Sequence, residues 1–134
     1  MKQAITHIAL VVKDYDEAID FYVNKLQFEL LEDIYQAEQD KRWVVVAPKG
    51  SEGTTILLAR ASNSEQEKFI GNQSGGRVFL FLNTDDFWRD YKEMISKGIK
   101  FVRKPKKLIM EPLPFLKIYM AINGICFNWR MITF

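Results

Sequence analysis

Residues 6–30 read THIALVVKDYDEAIDFYVNKLQFEL, and the change of period inside this stretch decides the fold. From Ala4 to Val12 β-branched and apolar residues dominate, and alternation puts Ile5, His7, Ala9 and Val11 on one face of a strand. The period then lengthens. Asp14 or Asp16 can cap a helix, acidic residues fill its first turn, and Ala18, Ile19, Tyr22 and Leu26 recur at helical spacing. Three more strands are predicted at Phe28–Gln36, Lys41–Pro48 and Thr54–Ala61, separated by the turn-like AEQD and KGSEG. The first half thus reads strand, helix, strand, strand, strand.

The pattern restarts after a polar, Gly-rich segment, Ser62–Gly76, which reads as a linker or mobile loop. Residues 75–101, GGRVFLFLNTDDFWRDYKEMISKGIKF, predict a strand over Gly76–Asn83, then a helix capped by Thr84, with two Asp in its first turn, and closed by Gly98. A further strand is expected at Ile99–Pro105. Offsetting Thr6–Glu32 against Gly76–Pro105 by roughly 70 residues superposes strand on strand and helix on helix, a weak internal repeat of a βαβββ unit. The expected organisation is one α+β domain: a first module at about residues 1–61, a linker at 62–75 and a second module at 76–134 that still owes strands after Pro105.

Length and charge agree with this. The 134 residues suffice for one domain with a core, and a net charge of only +2 implies no polyanionic partner, so no nucleic acid is expected. Cys126 is the only cysteine, so neither a disulfide framework nor a thiolate zinc site can be built within one chain, and a cytoplasmic location is expected. The apolar run near the N-terminus is too short to span a membrane. Asp14 with Asp16, and Asp85 with Asp86, are better placed for capping than for acid-base chemistry. There is no Gly-rich phosphate loop, and Arg103–Lys107 reads as a solvated turn.

The two quoted stretches resemble the openings of paired modules in the vicinal oxygen chelate superfamily, which includes glyoxalase I, extradiol dioxygenases, and fosfomycin- and bleomycin-resistance proteins. The likeness covers about Met1 to Pro105 and is strongest to the glyoxalase/bleomycin-resistance branch. It implies two βαβββ modules whose curved mixed sheets enclose a cavity, commonly in a homodimer. In metal-dependent members each module supplies ligands from its first and last strands, since a divalent ion needs several converging N and O donors. His7 matches the first ligand. Leu57 and Arg77 stand at the second and third, and the fourth falls at Asn128 or Arg130.

One ligand type in four is not a metal site, so no cofactor is expected. The resemblance then implies a metal-free protein that binds a small amphiphilic molecule, with His7, Trp43, Leu57, Arg77 and Phe79 as candidate ligand-binding residues. The alternative is a metal-dependent lyase or dioxygenase of the glyoxalase type, holding a divalent ion through His7; a chain with no activity is a third. Against the functional readings, a lone strand His is more often packed and hydrogen-bonded than ligating. Arg77 is equally readable as a sheet-end cation, and Trp43, Trp88 and Tyr91 as packing residues.

The tail departs from the family from about Lys106. Family members end with a strand, a YGN turn and a WDL or IEL strand. Read in a shifted frame, with the third base of each codon joined to the first two of the next, Met110–Glu111 forces Gly and Met120–Ala121 forces Gly again, ten codons later. That is the family's spacing between its two YG pairs. Permitted wobble bases allow Tyr-Gly-Thr-Val-Ala-Val-Phe-Lys-Asp-Leu-Tyr-Gly-Asn-Lys and then Trp-Asp-Leu across Asn123–Cys126. Lys106 or Lys107 to Phe134 therefore reads as a frameshift product, the alternative being a divergent native tail. The segments FLKIYMAI and ICFNWRMITF stay β-prone in either case. Their turn positions are expected at Glu111-Pro112 and Ala121-Ile122, with Asn123-Gly124 a hairpin candidate two positions late.

Overall fold

The first strand, β1, is His7–Val12, shorter at its start than the apolar run that predicts it. A computed structural model describes residues 1–75, 77 and 79–99 in full and the backbone of strands at 106–110, 115–122 and 125–132. The chain divides into two compact units, Met1–Ile70 and Gly71–Phe134.

In the first unit β1 leads into α1, Tyr15–Ile19, whose last turns widen to π geometry over Asp20–Lys25. Of the two possible caps Asp14 is the one used: its carboxylate accepts from the Glu17 N–H at 2.8 Å, which satisfies a helix donor that has no partner within the helix. Ala18, Tyr22 and Leu26 are buried, as their spacing requires. Three strands follow: β2, Glu29–Gln36; β3, Lys41–Ala47; and β4, Thr55–Arg60. The AEQD turn between β2 and β3 ends in Asp40, at φ 47, a left-handed conformation that Asp tolerates better than most side chains. The Tyr35 hydroxyl bonds the Asp40 carboxylate at 3.0 Å and Arg60 bonds its carbonyl at 3.1 Å, holding the turn against the sheet.

The sheet order is β1-β4-β3-β2. β1 runs parallel to β4, with His7 opposite Thr55 and Ala9 opposite Leu57, while β3 is antiparallel to both β4 and β2. One face carries the core: Val44, Val46, Leu58, Ile56, Leu10 and Val12 are all buried. Arg42 and Arg60 share the parity of those residues, and both guanidinium groups sit over the Tyr15 ring, at 5.3 and 5.1 Å from its centroid. Helix α1 therefore covers this face. The contact is reinforced by charge. Arg42 forks onto Asp33 with Nε and Nη2 at 3.1 and 2.7 Å, and its Nη1 reaches Asp16 in the first turn of α1 at 2.8 Å. The forked guanidinium holds the Asp33 carboxyl below the usual carboxylate range, against a smaller upward pull from burial.

The segment expected to be a linker carries a helical turn, α2, Ser64–Glu67, because Asn63 accepts from the Gln66 N–H at 2.9 Å and the Gln66 side chain reaches back to Ser62 at 2.7 Å. Reciprocal capping of this kind stabilises a short turn that composition alone hides.

The second unit repeats the topology. β5 is Leu80–Leu82, α3 is Phe87–Ser96, and β6, β7 and β8 are Lys106–Met110, Phe115–Ile122 and Ile125–Ile132, in the order β5-β8-β7-β6. As β1 does with β4, β5 runs parallel to β8. Three expectations are corrected here. The strand foreseen over Gly76–Asn83 begins only at Leu80, because its parallel partner β8 begins at Ile125, opposite Leu80; within that range Gly76 and Val78 lie outside the described residues. The cap of α3 is Asp86, which accepts from the Arg89 N–H at 3.1 Å, and not Thr84, whose hydroxyl donates to Asp90 at 2.6 Å. The positions foreseen as a turn, Ala121 and Ile122, belong to β7, and Ile122 pairs with Ile125; Asn123 and Gly124 lie outside the described residues. Gly98, at φ 81, does close α3, and the buried Ile99 follows it outside any strand. The strand expected over Ile99–Pro105 otherwise lies outside the described residues, as do the Glu111-Pro112 positions. Among the described residues no helix is long and apolar enough to cross a membrane.

Candidate functional site

The first sheet turns its other face away from α1. Strand alternation places His7, Ala9 and Val11 of β1, Thr55, Leu57 and Ala59 of β4, and Trp43 and Val45 of β3 together there. A register shift between Leu30 and Glu32 re-aims β2, so that Glu32 stands opposite Val45 and Ile34 opposite Trp43. Without that bulge the Glu32 carboxylate would point to the helix side.

A chain of contacts crosses this face. Thr55 Oγ1 lies 2.6 Å from His7 Nδ1 and donates to the Thr6 carbonyl at 2.9 Å. The imidazole meets the indole of Trp43, two strands away, in an edge-to-face arrangement with centroids 5.4 Å apart and planes at 86°. The indole N–H donates to Glu32 Oε2 at 2.5 Å, a charge-assisted bond. Imidazole, indole and carboxylate are thus held in one connected arrangement on a surface otherwise lined by Leu57, Val45 and small side chains. His7 is exposed, Trp43 and Leu57 are half-buried, and Val45 is buried.

Of the five residues that sequence reading proposes, the structure brings His7, Trp43 and Leu57 onto this single face. Arg77 and Phe79 belong to the second unit. Arg77 is exposed in a bend closed by its N–H to the Ser74 carbonyl at 3.3 Å and by the Ser74 hydroxyl to its own carbonyl; Phe79 is half-buried just before β5. Neither stands on the strand expected for them, since β5 starts later. Sequence reading missed Thr55 and Glu32. The signal for Glu32 is the break in alternation at Leu30-Leu31, where the register shifts; that for Thr55 is its place opposite His7, which only the register reveals.

Among the described residues, the donors around His7 do not make up a set for a divalent ion. Among the described residues no three His, Cys, Asp or Glu side chains converge. Near His7 the neighbouring hydroxyl is engaged by the Thr6 carbonyl, Leu57 offers no donor, and the Glu32 carboxylate accepts an indole N–H at one of its two oxygens. Asn128 and Arg130 lie on β8, where only the backbone is described.

Paired βαβββ units with first strands parallel to last strands, and a single His on the first strand, define a class of protein. The family model of the Glyoxalase/Bleomycin resistance protein/Dioxygenase superfamily matches residues 4–115, and the chain belongs to that superfamily. An uncharacterized protein of Shewanella frigidimarina (strain NCIMB 400) is 76% identical over 107 residues, 80% of this chain and 79% of its own, leaving about a fifth of each unmatched. Among solved structures, UcmS2 superposes with a TM-score of 0.75 at 22% identity, covering 97% of this chain and 98% of its own. TnmS3, an antibiotic binding protein from Streptomyces sp. CB03234, superposes with a TM-score of 0.68 at 24% identity over 99% and 98%. At these identities the two structures establish the shared α+β fold.

Proposed function

We propose that this protein binds a small amphiphilic organic molecule without a metal ion, and that the face of the first sheet opposite α1, with His7, Trp43 and Leu57, is where that molecule sits. The observation that carries the reading is the Thr55–His7–Trp43–Glu32 arrangement: a few polar groups held in fixed positions on a largely apolar surface. Arg77 and Phe79 stand as further candidates on the second unit, Arg77 as a cation suited to an anionic group. The likeness in fold to an antibiotic binding protein is in keeping with a small-molecule ligand. In this reading the chain is cytoplasmic, in keeping with its lone Cys126.

Protein purified without chelator is expected to hold no stoichiometric Ni, Zn, Mn or Fe by elemental analysis. One tightly bound metal per chain, lost in His7→Ala, would overturn the proposal in favour of a second reading, a metal-dependent lyase or dioxygenase. That second reading is favoured by one feature: among the described residues no group bonds His7 Nε2.

We also propose a homodimer. Strand β2 is an edge strand exposed along its whole length, with Leu30, Leu31, Ile34 and Tyr35 all turned to solvent, and an unpaired apolar edge favours association with a second copy. Light scattering at micromolar concentration is expected to give twice the chain mass of 15.7 kDa, and a monomeric mass would count against it.

A further inference from the structure

We infer that Thr55 is a positioning residue that fixes the His7 imidazole as its Nδ1–H tautomer, so that the site offers an unshared Nε2 lone pair and takes ligands through a hydroxyl or amide N–H donor. The inference rests on the binding reading above and adds the polarity of what is bound. It follows from proton counting. Thr55 Oγ1 carries one hydrogen and touches two groups, the Thr6 carbonyl at 2.9 Å and His7 Nδ1 at 2.6 Å. A carbonyl oxygen can only accept, so the contact with Thr6 is a hydrogen bond only when the hydroxyl hydrogen points there. Both contacts are hydrogen bonds together only if Nδ1 carries a proton and donates to the hydroxyl oxygen. A neutral ring then has Nε2 bare.

The backbone keeps the hydroxyl in place. The Thr55 N–H also bonds the Thr6 carbonyl at 2.9 Å, and the preceding Thr54 hydroxyl bonds the Ile5 carbonyl at 2.8 Å, so both threonines at the start of β4 are tied to the chain entering β1. The Trp43 indole limits ring rotation from the other side, at 5.4 Å and 86°. Glu32, which orients that indole, adds a second acceptor to the same face. Two acceptors and an apolar floor select a ligand with donors, whereas an anion would meet a carboxylate.

The chain has one histidine, so ring-15N-labelled protein gives one imidazole spin system. In metal-free, ligand-free protein at mildly alkaline pH, long-range 1H–15N correlation is expected to show Nδ1 with the pyrrole-like shift and Nε2 with the pyridine-like shift. Thr55→Val is expected to lose that assignment and Thr55→Ser to keep it. A pyridine-like Nδ1 in the native protein overturns the inference and leaves the binding reading to its own metal assay; an unchanged pattern in Thr55→Val overturns the role of Thr55. If Thr55→Val does not fold, the native protein and Thr55→Ser decide. Phenol is expected to move the Nε2 resonance at lower concentration than anisole, which has the ring but no donor. Equal response to both probes, or to neither, would overturn the ligand class.

Discussion

A single-base correction near Lys106 is expected to stabilise the protein by several kcal/mol, on the order of the largest effects single core changes produce. The reason is that one shift of frame alters register, turn chemistry and core facing together. The strands β6, β7 and β8 form from the present tail because its residues are β-prone, yet a strand displaced by one residue turns every side chain to the opposite face. In the corrected chain the codons now spelling Met110–Glu111 and Met120–Ala121 become glycines, which supply the φ > 0 that tight turns need. In the present chain β7 runs through Ala121 to Ile122, where the family has a turn. With a urea m-value of about 1–3 kcal/mol/M, the two versions should differ in midpoint by roughly 1–3 M. Equal midpoints, or a gene in which neither alternative frame encodes both glycines in an open stretch, would show that the tail is native.

Replacing Arg42 by Ala is expected to cost about 1.5–3 kcal/mol at neutral pH, the range for hydrogen bonds to charged groups left without a partner. The Asp33 side of the fork carries most of this. The bond to Asp16 adds little, because that carboxylate is 80% exposed. The effect has a sign with pH. Since Arg42 lowers the folded-state pKa of Asp33, the pair stabilises fully above the unfolded carboxylate pKa of about 3.9, and that contribution is lost as pH falls through the lower folded value. Urea midpoints of native protein and Arg42→Ala, at one protein concentration, should therefore be well separated at pH 7 and converge towards pH 2. Midpoints that coincide at pH 7, or a gap that acid leaves untouched, would mean that the fork holds nothing. Arg42→Lys should recover part of the difference, since it keeps the charge and loses the bidentate geometry.

The elements of the first unit were legible because two periods meet cleanly within Thr6–Leu30: alternation through His7–Val12, then helical recurrence of Ala18, Tyr22 and Leu26 after an acidic cap. The same holds for the repeat, since α3 and its closing Gly98 follow the same grammar. The choices among local alternatives were less legible. Asp86 caps α3 in place of Thr84 because the Thr84 hydroxyl is drawn to Asp90, and the helical turn at Ser64–Glu67 exists through reciprocal bonds between Ser62, Asn63 and Gln66. Each depends on where a side chain lands in three dimensions. The candidate face divides along the same line: family likeness singles out His7 and Leu57 and the sequence offers Trp43 as a candidate or a packing residue, whereas Thr55 and Glu32 needed the parallel register of β1 with β4 and the bulge in β2.

That parallel register also sets an order in time. His7–Val12 is synthesised early and has no sheet partner until Thr55–Arg60 has followed it, because β1 pairs with β4 alone. In the second unit Leu80–Leu82 waits likewise for the strand that begins at Ile125. The first sheet therefore has all its strands before the ribosome reaches Lys106, and whatever is encoded from that point on acts only on strands yet to be made. By order of synthesis, the half that carries Thr55, His7, Trp43 and Glu32 has every one of its strands before the tail is made.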